Sequence, residues 1–207
     1  MDPALLAAAR TTPGFLPDDE GIALYHAGLR GAEIGPLLEI GSYCGKSAIY
    51  LGAAARECEQ VLYSIDHHRG SEENQPGEEF FDARFVDADG RVDTLPVFRR
   101  TIEDAGLQGS VVGIVGVSEV VASRWSTPLG LVFIDGGHSA KAAHADYDGW
   151  TPHLLSGGVL AIHDVFPDPK DGGRHPFEIY ERALESGRFE ELSATGSLRV
   201  LQRSPNP

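Results

Sequence analysis

The stretch "LLEIGSYCGKS", Leu37–Ser47, carries the fold decision: an apolar run that reads as a strand leads into a short glycine loop ending in Gly-Lys-Ser. A phosphate-binding P-loop ends the same way, but it needs G-x-x-x-x-G-K-[ST], because its backbone must wrap a full anion nest. Here the position six before Lys46 is Ile40, and Gly41 stands one place too close. Glu39, a carboxylate at the mouth of the loop, also suits a polyphosphate poorly. A dinucleotide loop, G-x-G-x-x-G, fails at Tyr43, where the second glycine should let a pyrophosphate approach.

The next apolar run, "VLYSID", ends in Asp66, an acid placed to accept from ribose hydroxyls. A ligand with a ribose, no phosphate and a zwitterionic amino-acid end fits these residues best, and S-adenosylmethionine has those parts. Glu39 suits its ammonium, and the backbone from Gly41 to Gly45 can be approached closely.

Working outward, apolar runs alternate with helical patterns. Strands are expected at Leu37–Gly41, Val61–Asp66, Val111–Gly116, Leu129–Asp135 and Gly157–Asp164, with helices over about Lys46–Cys58 and Ala140–Trp150. That alternation implies an α/β domain with a mostly parallel sheet covered on both faces. "FEELSATGSLRVLQR" then reads as two strands joined by a turn at Thr195–Ser197, a C-terminal antiparallel hairpin. The tail from Ser204 to Pro207 is expected to be loose. The segment from His67 to Val92 is too long for an ordinary connection and reads as a lid, with "FPDPKDGGRHP", Phe166–Pro176, a second candidate. The whole of 1–207 is expected to form one domain.

Composition narrows the partners. With 42% hydrophobic and 23% charged residues the chain is ordinary globular material. A formal net charge of -14 disfavours a nucleic-acid partner and an anionic membrane surface. The first residues, "MDPALLAAAR", lack the basic start of a signal peptide, and no segment nears the roughly 18 apolar residues of a membrane span. A cytoplasmic location is therefore expected, with Cys44 and Cys58 as free thiols.

Taken in order, these segments resemble the class I S-adenosylmethionine-dependent O-methyltransferases of the metal-dependent branch. "LLEIGSYCGKS" is similar to the first motif, E-x-G-x-x-x-G-x-S; "GVSEVV" to the segment flanking adenine; "GFLPDDEGIALYHAGL" to the lead-in helix. The resemblance implies a Rossmann-like class I methyltransferase fold of seven strands, the last one reversed, and S-adenosyl-L-methionine as cofactor. It implies cofactor contacts at Glu39, Gly41, Ser42, Tyr43, Gly45, Ser47, Asp66, Val117, Ser118 and Asp135. His67 is expected to stack near the adenosine and His68 to reach towards the acceptor. A homodimer is implied by the resemblance alone.

"IDGGH", Asp135–His138, and "IHD", Ile162–Asp164, sit at the carboxyl ends of two expected strands, so their side chains should converge. In the resembling branch these positions hold a divalent metal, with a base three residues past the first acid. Asp135, His163 and Asp164 match the ligand positions and His138 matches the base; His144 is a second candidate base. His163 departs from that branch's usual acids and amides. Oxygen ligands suit Mg²⁺, whereas a histidine is more at home with Mn²⁺. "GSYCGKSAIYLG" and "DHHRGSEENQPG" further resemble an actinobacterial group of sugar 1-O-methyltransferases of methylmannose polysaccharide synthesis. That resemblance implies, as acceptor, the 1-hydroxyl of a 3-O-methylated mannoside. A catechol or phenol acceptor, and a non-catalytic S-adenosylmethionine- or nucleotide-binding module, stand as alternatives.

Overall fold

The computed structural model describes residues 1–78, 80–168 and 170–205. Glu79 and Pro169, one in each expected lid, and Asn206 and Pro207 of the expected loose tail lie outside the described residues.

Along the chain run α1 (Pro3–Thr11), α2 (Asp18–Ala32), β1 (Leu37–Ile40), α3 (Lys46–Glu57), β2 (Leu62–Asp66), α4 (Leu95–Asp104), β3 (Val111–Val115) and α5 (Ser118–Ala122). Then follow β4 (Leu129–Ile134), α6 (Ala140–Trp150), β5 (Leu154–Ile162), α7 (Arg174–Glu185), β6 (Phe189–Thr195) and β7 (Leu198–Arg203). They form one seven-stranded sheet in the order β3-β2-β1-β4-β5-β7-β6. The first five strands in chain order are parallel, and β7 runs antiparallel to both β5 and β6. This is the expected doubly wound sheet with its reversed last strand.

Both faces of the sheet are covered because the strands are apolar on both sides. Leu37, Leu131, Phe133 and Val159 pack with Leu24, Ile49 and Leu51 of α2 and α3. Their alternate neighbours Leu38, Val132, Ile134 and Leu160 pack with Tyr147, Trp150 and Ile179 of α6 and α7. Side chains two apart on a strand share a face, so near-continuous apolar runs are what a sheet buried on both faces requires.

Most element ends fall within one or two residues of the sequence reading, and two features differ by more. β5 begins at Leu154, ahead of Gly157, and Gly157 sits within it at φ 77, opposite the register shift at Leu129/Leu131. A glycine in a strand read as a start is here an irregularity inside it. The segment after β2 is no featureless loop: short 3₁₀ turns at Glu72–Asn74 and Ala83–Phe85 and a bridge between Val86 and Val92 fold it onto itself. Lys46 is the first residue of α3. Among the described residues no helix is long and apolar enough to cross a membrane.

The strand order reverses direction between β1 and β4, and open α/β sheets bind ligands at the carboxyl ends beside such a point. Those ends carry Gly41, Asp66, Gly116 and Asp135.

Candidate active site

A cleft of about 640 Å³ opens at this edge of the sheet. Its walls include the loop after β1, the ends of β2 to β5, Pro13–Leu16 ahead of α2, and Gly70–Asn74 and Phe80 of the long segment.

The loop after β1 is built by its glycines. Gly41 has φ 89, and a side-chain carbon there would land on the carbonyl oxygen of Asp135. Its absence lets β1 and β4 close up at the floor of the cleft. Gly45, at φ 92, turns the chain into α3. Tyr43 has φ 44, a conformation uncommon for a residue with a side chain. Its N–H donates to Asp66 Oδ2 at 2.8 Å, while His68 N–H donates to Oδ1 at 2.7 Å. The backbone thus aims the Asp66 carboxylate, and each oxygen keeps a lone-pair direction for a further donor.

Most of the expected cofactor positions meet here. Gly41, Ser42, Tyr43, Ser47, Asp66, His67, Val117, Ser118 and Asp135 all line the cleft. The hydroxyl of Ser42 is buried and has no partner among the described residues. Gly45 shapes the loop from behind, facing Phe98 and Thr101. Glu39 is the exception that matters. It is fully buried below the cleft, outside its lining, and accepts from Ser64 Oγ at 2.6 Å. Burial pushes its carboxyl up to about 7. The structure places Glu39 beneath the glycine loop, with Oε2 buried and without a partner among the described residues. His68 is also set back from the cleft. It is buried, outside the lining, beside Thr94 Oγ1 at 2.9 Å and against Phe98, and burial lowers its pKa despite nearby Asp66 and Asp93.

At the β4 and β5 ends, Asp135, His163 and Asp164 converge: one ligand atom from each lies within 4.8 Å of the others. His163 Nδ1 is 2.9 Å from Asp135 Oδ1 and 3.2 Å from Asp164 Oδ2. Its other nitrogen, Nε2, is 2.6 Å from Glu20 Oε2 on α2. Glu20 in turn accepts from the backbone N–H of Ser197 at 2.7 Å, in the β6–β7 turn. Burial alone would lower the His163 pKa, but Asp135, Asp164 and Glu20 outweigh it and hold it well above 6.5. Burial likewise pushes Asp164 up, and hydrogen bonds from His138 and His163 overcome that, leaving it far below the carboxylate range.

These residues fit a divalent cation. With Nε2–H donated to Glu20, the position facing the two carboxylates is Nδ1, which takes either a proton or a metal. A histidine that gives its second N–H to a carboxylate is the usual support for a metal ligand. The set of two carboxylates and one imidazole suits Mn²⁺ as well as Mg²⁺.

His138 stands between two acids, with Nε2 at 2.8 Å from Asp164 Oδ2 and Nδ1 at 3.1 Å from Glu73 Oε2. The hydrogen bond to Asp164 outweighs burial and raises its pKa. A neutral His138 can keep one N–H on a carboxylate and offer the other lone pair; the imidazolium it becomes is then stabilised on both sides. His144, the second candidate base, is outside the cleft lining, on the far side of α6. Its nitrogens are 3.5 Å from Glu178 Oε2 and 3.5 Å from Arg182 Nη1, so the structure does not bring it to the site.

At the cleft mouth Phe15 packs edge-on against Phe80, with ring centres 5.1 Å apart, and also against Tyr43 at 5.6 Å. Phe80 belongs to the segment read as a lid, and Phe15 to the N-terminal arm. Of the acids at the site, Glu20 stands in the lead-in stretch "GFLPDDEGIALYHAGL", where nothing local marks it as a site residue. Glu73 had no local signal, because only the folded loop brings it to His138.

Solved structures share this architecture. An O-methyltransferase from Bacillus cereus in complex with S-adenosylhomocysteine is 17% identical, with a TM-score of 0.65 over 98% of this chain and 92% of that one. The S-adenosylhomocysteine-bound methyltransferase PaMTH1 of Podospora anserina is 15% identical, with a TM-score of 0.64 over 99% and 89%. CalS11, a TDP-rhamnose 3'-O-methyltransferase of calicheamicin biosynthesis, is 14% identical, with a TM-score of 0.62 over 96% and 91%. At such identities the likeness establishes the fold. The sequence family described as a methyltransferase domain matches residues 38–165, from β1 to just past β5, and so takes in every strand end that builds the cleft. The chain belongs to that methyltransferase-domain family.

Proposed function

We propose that the chain is an S-adenosylmethionine-dependent, divalent-cation-assisted O-methyltransferase whose acceptor is a sugar hydroxyl. The observation that carries this reading is the placement of His138 against Asp164, in the same cleft as the Asp66–Tyr43 loop. A proton acceptor, a cation-binding set and a ribose-binding acid then face one space.

S-adenosylmethionine supplies the methyl group as an electrophile, so the protein's part is to position and deprotonate the acceptor. Asp66 holds the ribose hydroxyls and the Gly41–Ser47 loop the amino-acid end. Asp135, His163 and Asp164 would hold a divalent cation, which when bound would supply Lewis acidity that makes an acceptor hydroxyl easier to ionise. His138 takes the hydroxyl proton, and Glu73 and Asp164 stabilise the imidazolium that forms. Glu72, Glu73 and Asn74 along the cleft offer polar partners for further hydroxyls.

The finer assignment, the 1-hydroxyl of a 3-O-methylated mannoside, rests on the resemblance of the loop sequences. CalS11, by its name a sugar O-methyltransferase, is consistent with a sugar acceptor on this fold. A phenol or catechol acceptor is the second reading, and the aromatic rings of Phe15, Tyr43 and Phe80 at the cleft favour it. Calorimetry with S-adenosylhomocysteine and with ATP tests the cofactor assignment. Binding of the first is expected; binding of ATP alone would remove it.

A further inference from the structure

The sheet ends on β3 at one side and β6 at the other, and the two edges differ. β6 carries Glu190 and Glu191, so a second copy laid along it would bring like charges together, a usual guard of a free edge. From Val111 to Ser118, β3 and the turn after it carry no charge. Val112 and Val115 on β3 and Val120 just past it are 45%, 58% and 64% exposed. An apolar, uncharged edge strand is a template for another strand.

The backbone of β3 fixes how that strand must run. Leu62 N–H donates to Ser110 O, and Gly116 N–H donates to Asp66 O. Residues bonded to the neighbour alternate along a ladder, so the even-numbered residues of β3 face β2. Val111 N–H donates to Leu107 O. Gly113 and Val115 then direct both N–H and C=O away from the sheet. A two-fold axis at Ile114 sets Gly113 of one copy against Val115 of the other, antiparallel, and the two residues exchange both bonds. The side chains suit the same register: Val115 lies across the bare Gly113, Val112 across Gly116, and Ile114 meets its own copy.

We infer that β3 is the contact between two copies of this chain, joined antiparallel into one continuous sheet. A second copy fits better than an unrelated strand for two reasons. The strip is its own complement under the two-fold, as an isologous contact must be. At a formal net charge of -14, two copies repel wherever their acidic surfaces meet, and this strip brings no charge to the contact. A contact of one short strand and its flanks stands at the small, reversible end of interfaces.

The test is sedimentation equilibrium of the full chain over about 1–100 μM, where a small interface dissociates. The wild type should pass from the mass of one chain to that of two. Val115→Lys should raise the dissociation constant by about 10-fold or more, since each dimer carries the change twice. Ile114→Cys should cross-link to its own copy on mild oxidation, beyond anything Cys44 and Cys58 give in the wild type, and Leu192→Cys on β6 should not. A wild type that stays a single chain throughout overturns the proposal, and that measurement needs no variant to fold. A dimer unmoved by Val115→Lys, with no cross-link through position 114, places the contact elsewhere and overturns it too.

Discussion

His163, one residue past β5, places Nε2 2.6 Å from Oε2 of Glu20 on α2, and both side chains are sealed from solvent. This contact ties the N-terminal helix layer to the cation-binding end of the sheet and, through Ser197, to the β6–β7 turn. Without Glu20, His163 keeps Asp135 and Asp164, but its Nε2–H and the Ser197 N–H lose their buried acceptor, at a cost of about 1–3 kcal/mol. Glu20→Ala should lose stability on that scale in urea unfolding. Glu20→Gln, which still accepts from His163, should lose clearly less. Equal losses would show that the contact acts only by filling space.

The same histidine sets a pH dependence. Against burial, Asp135 first, then Asp164 and Glu20, raise its folded pKa above the ordinary 6.5, so its contribution is full below 6.5 and fades as pH rises through the folded value. Burial pushes Glu20 up, but hydrogen bonds from His163 and Ser197 bring it below the ordinary 4.5; its contribution is present above 4.5 and is lost as pH falls. In EDTA, the urea midpoint of the wild type should decline as pH rises above 6.5, and Asp135→Asn should flatten that decline more than Glu20→Gln does. A slope left unchanged by Asp135→Asn would contradict this account of the histidine.

The two candidate bases separate cleanly. His138→Ala should lower turnover by about 10²–10⁴-fold, the usual worth of general base catalysis, while S-adenosylhomocysteine affinity holds. His144→Ala, altered outside the cleft, should keep turnover within about twofold, as surface changes away from a site do. Steady-state kinetics with calorimetry on both variants decides; a large loss at His144 would move the base.

Gly41→Ala tests what the glycine is for. Its left-handed backbone alone costs a residue with a side chain about 1–2 kcal/mol, and the added carbon meets the Asp135 carbonyl. The melting temperature without any ligand should fall sharply. A variant as stable as the wild type, but weak for S-adenosylhomocysteine, would show that Gly41 serves cofactor approach alone.

The sheet was legible in the sequence because its strands are apolar on both faces and bounded by glycine or acid, as at Leu37–Gly41 and Leu129–Asp135. Asp66, Asp135, His138 and Asp164 could be placed because each follows a strand end, where topology dictates direction. Strand alternation sets Glu39 under the cleft beside Ser64, a depth that its charge next to the glycine loop does not reveal. His68 was similarly turned away from its neighbour His67 by a positive φ of 57. Glu20 and Glu73 reach the site only through tertiary packing, from a helix 143 residues before His163 and from a loop whose fold has no periodic signal. Long-range contacts of that kind leave no local trace.

The central claim is tested most directly by transfer of a labelled methyl group from S-adenosylmethionine to a panel of mannosides and catechols, with and without EDTA. The account predicts label on a mannoside hydroxyl, abolished by EDTA and restored by Mg²⁺ or Mn²⁺. Transfer to catechols alone, undiminished transfer in EDTA, or no transfer to any hydroxylated acceptor by protein that binds S-adenosylhomocysteine would contradict it.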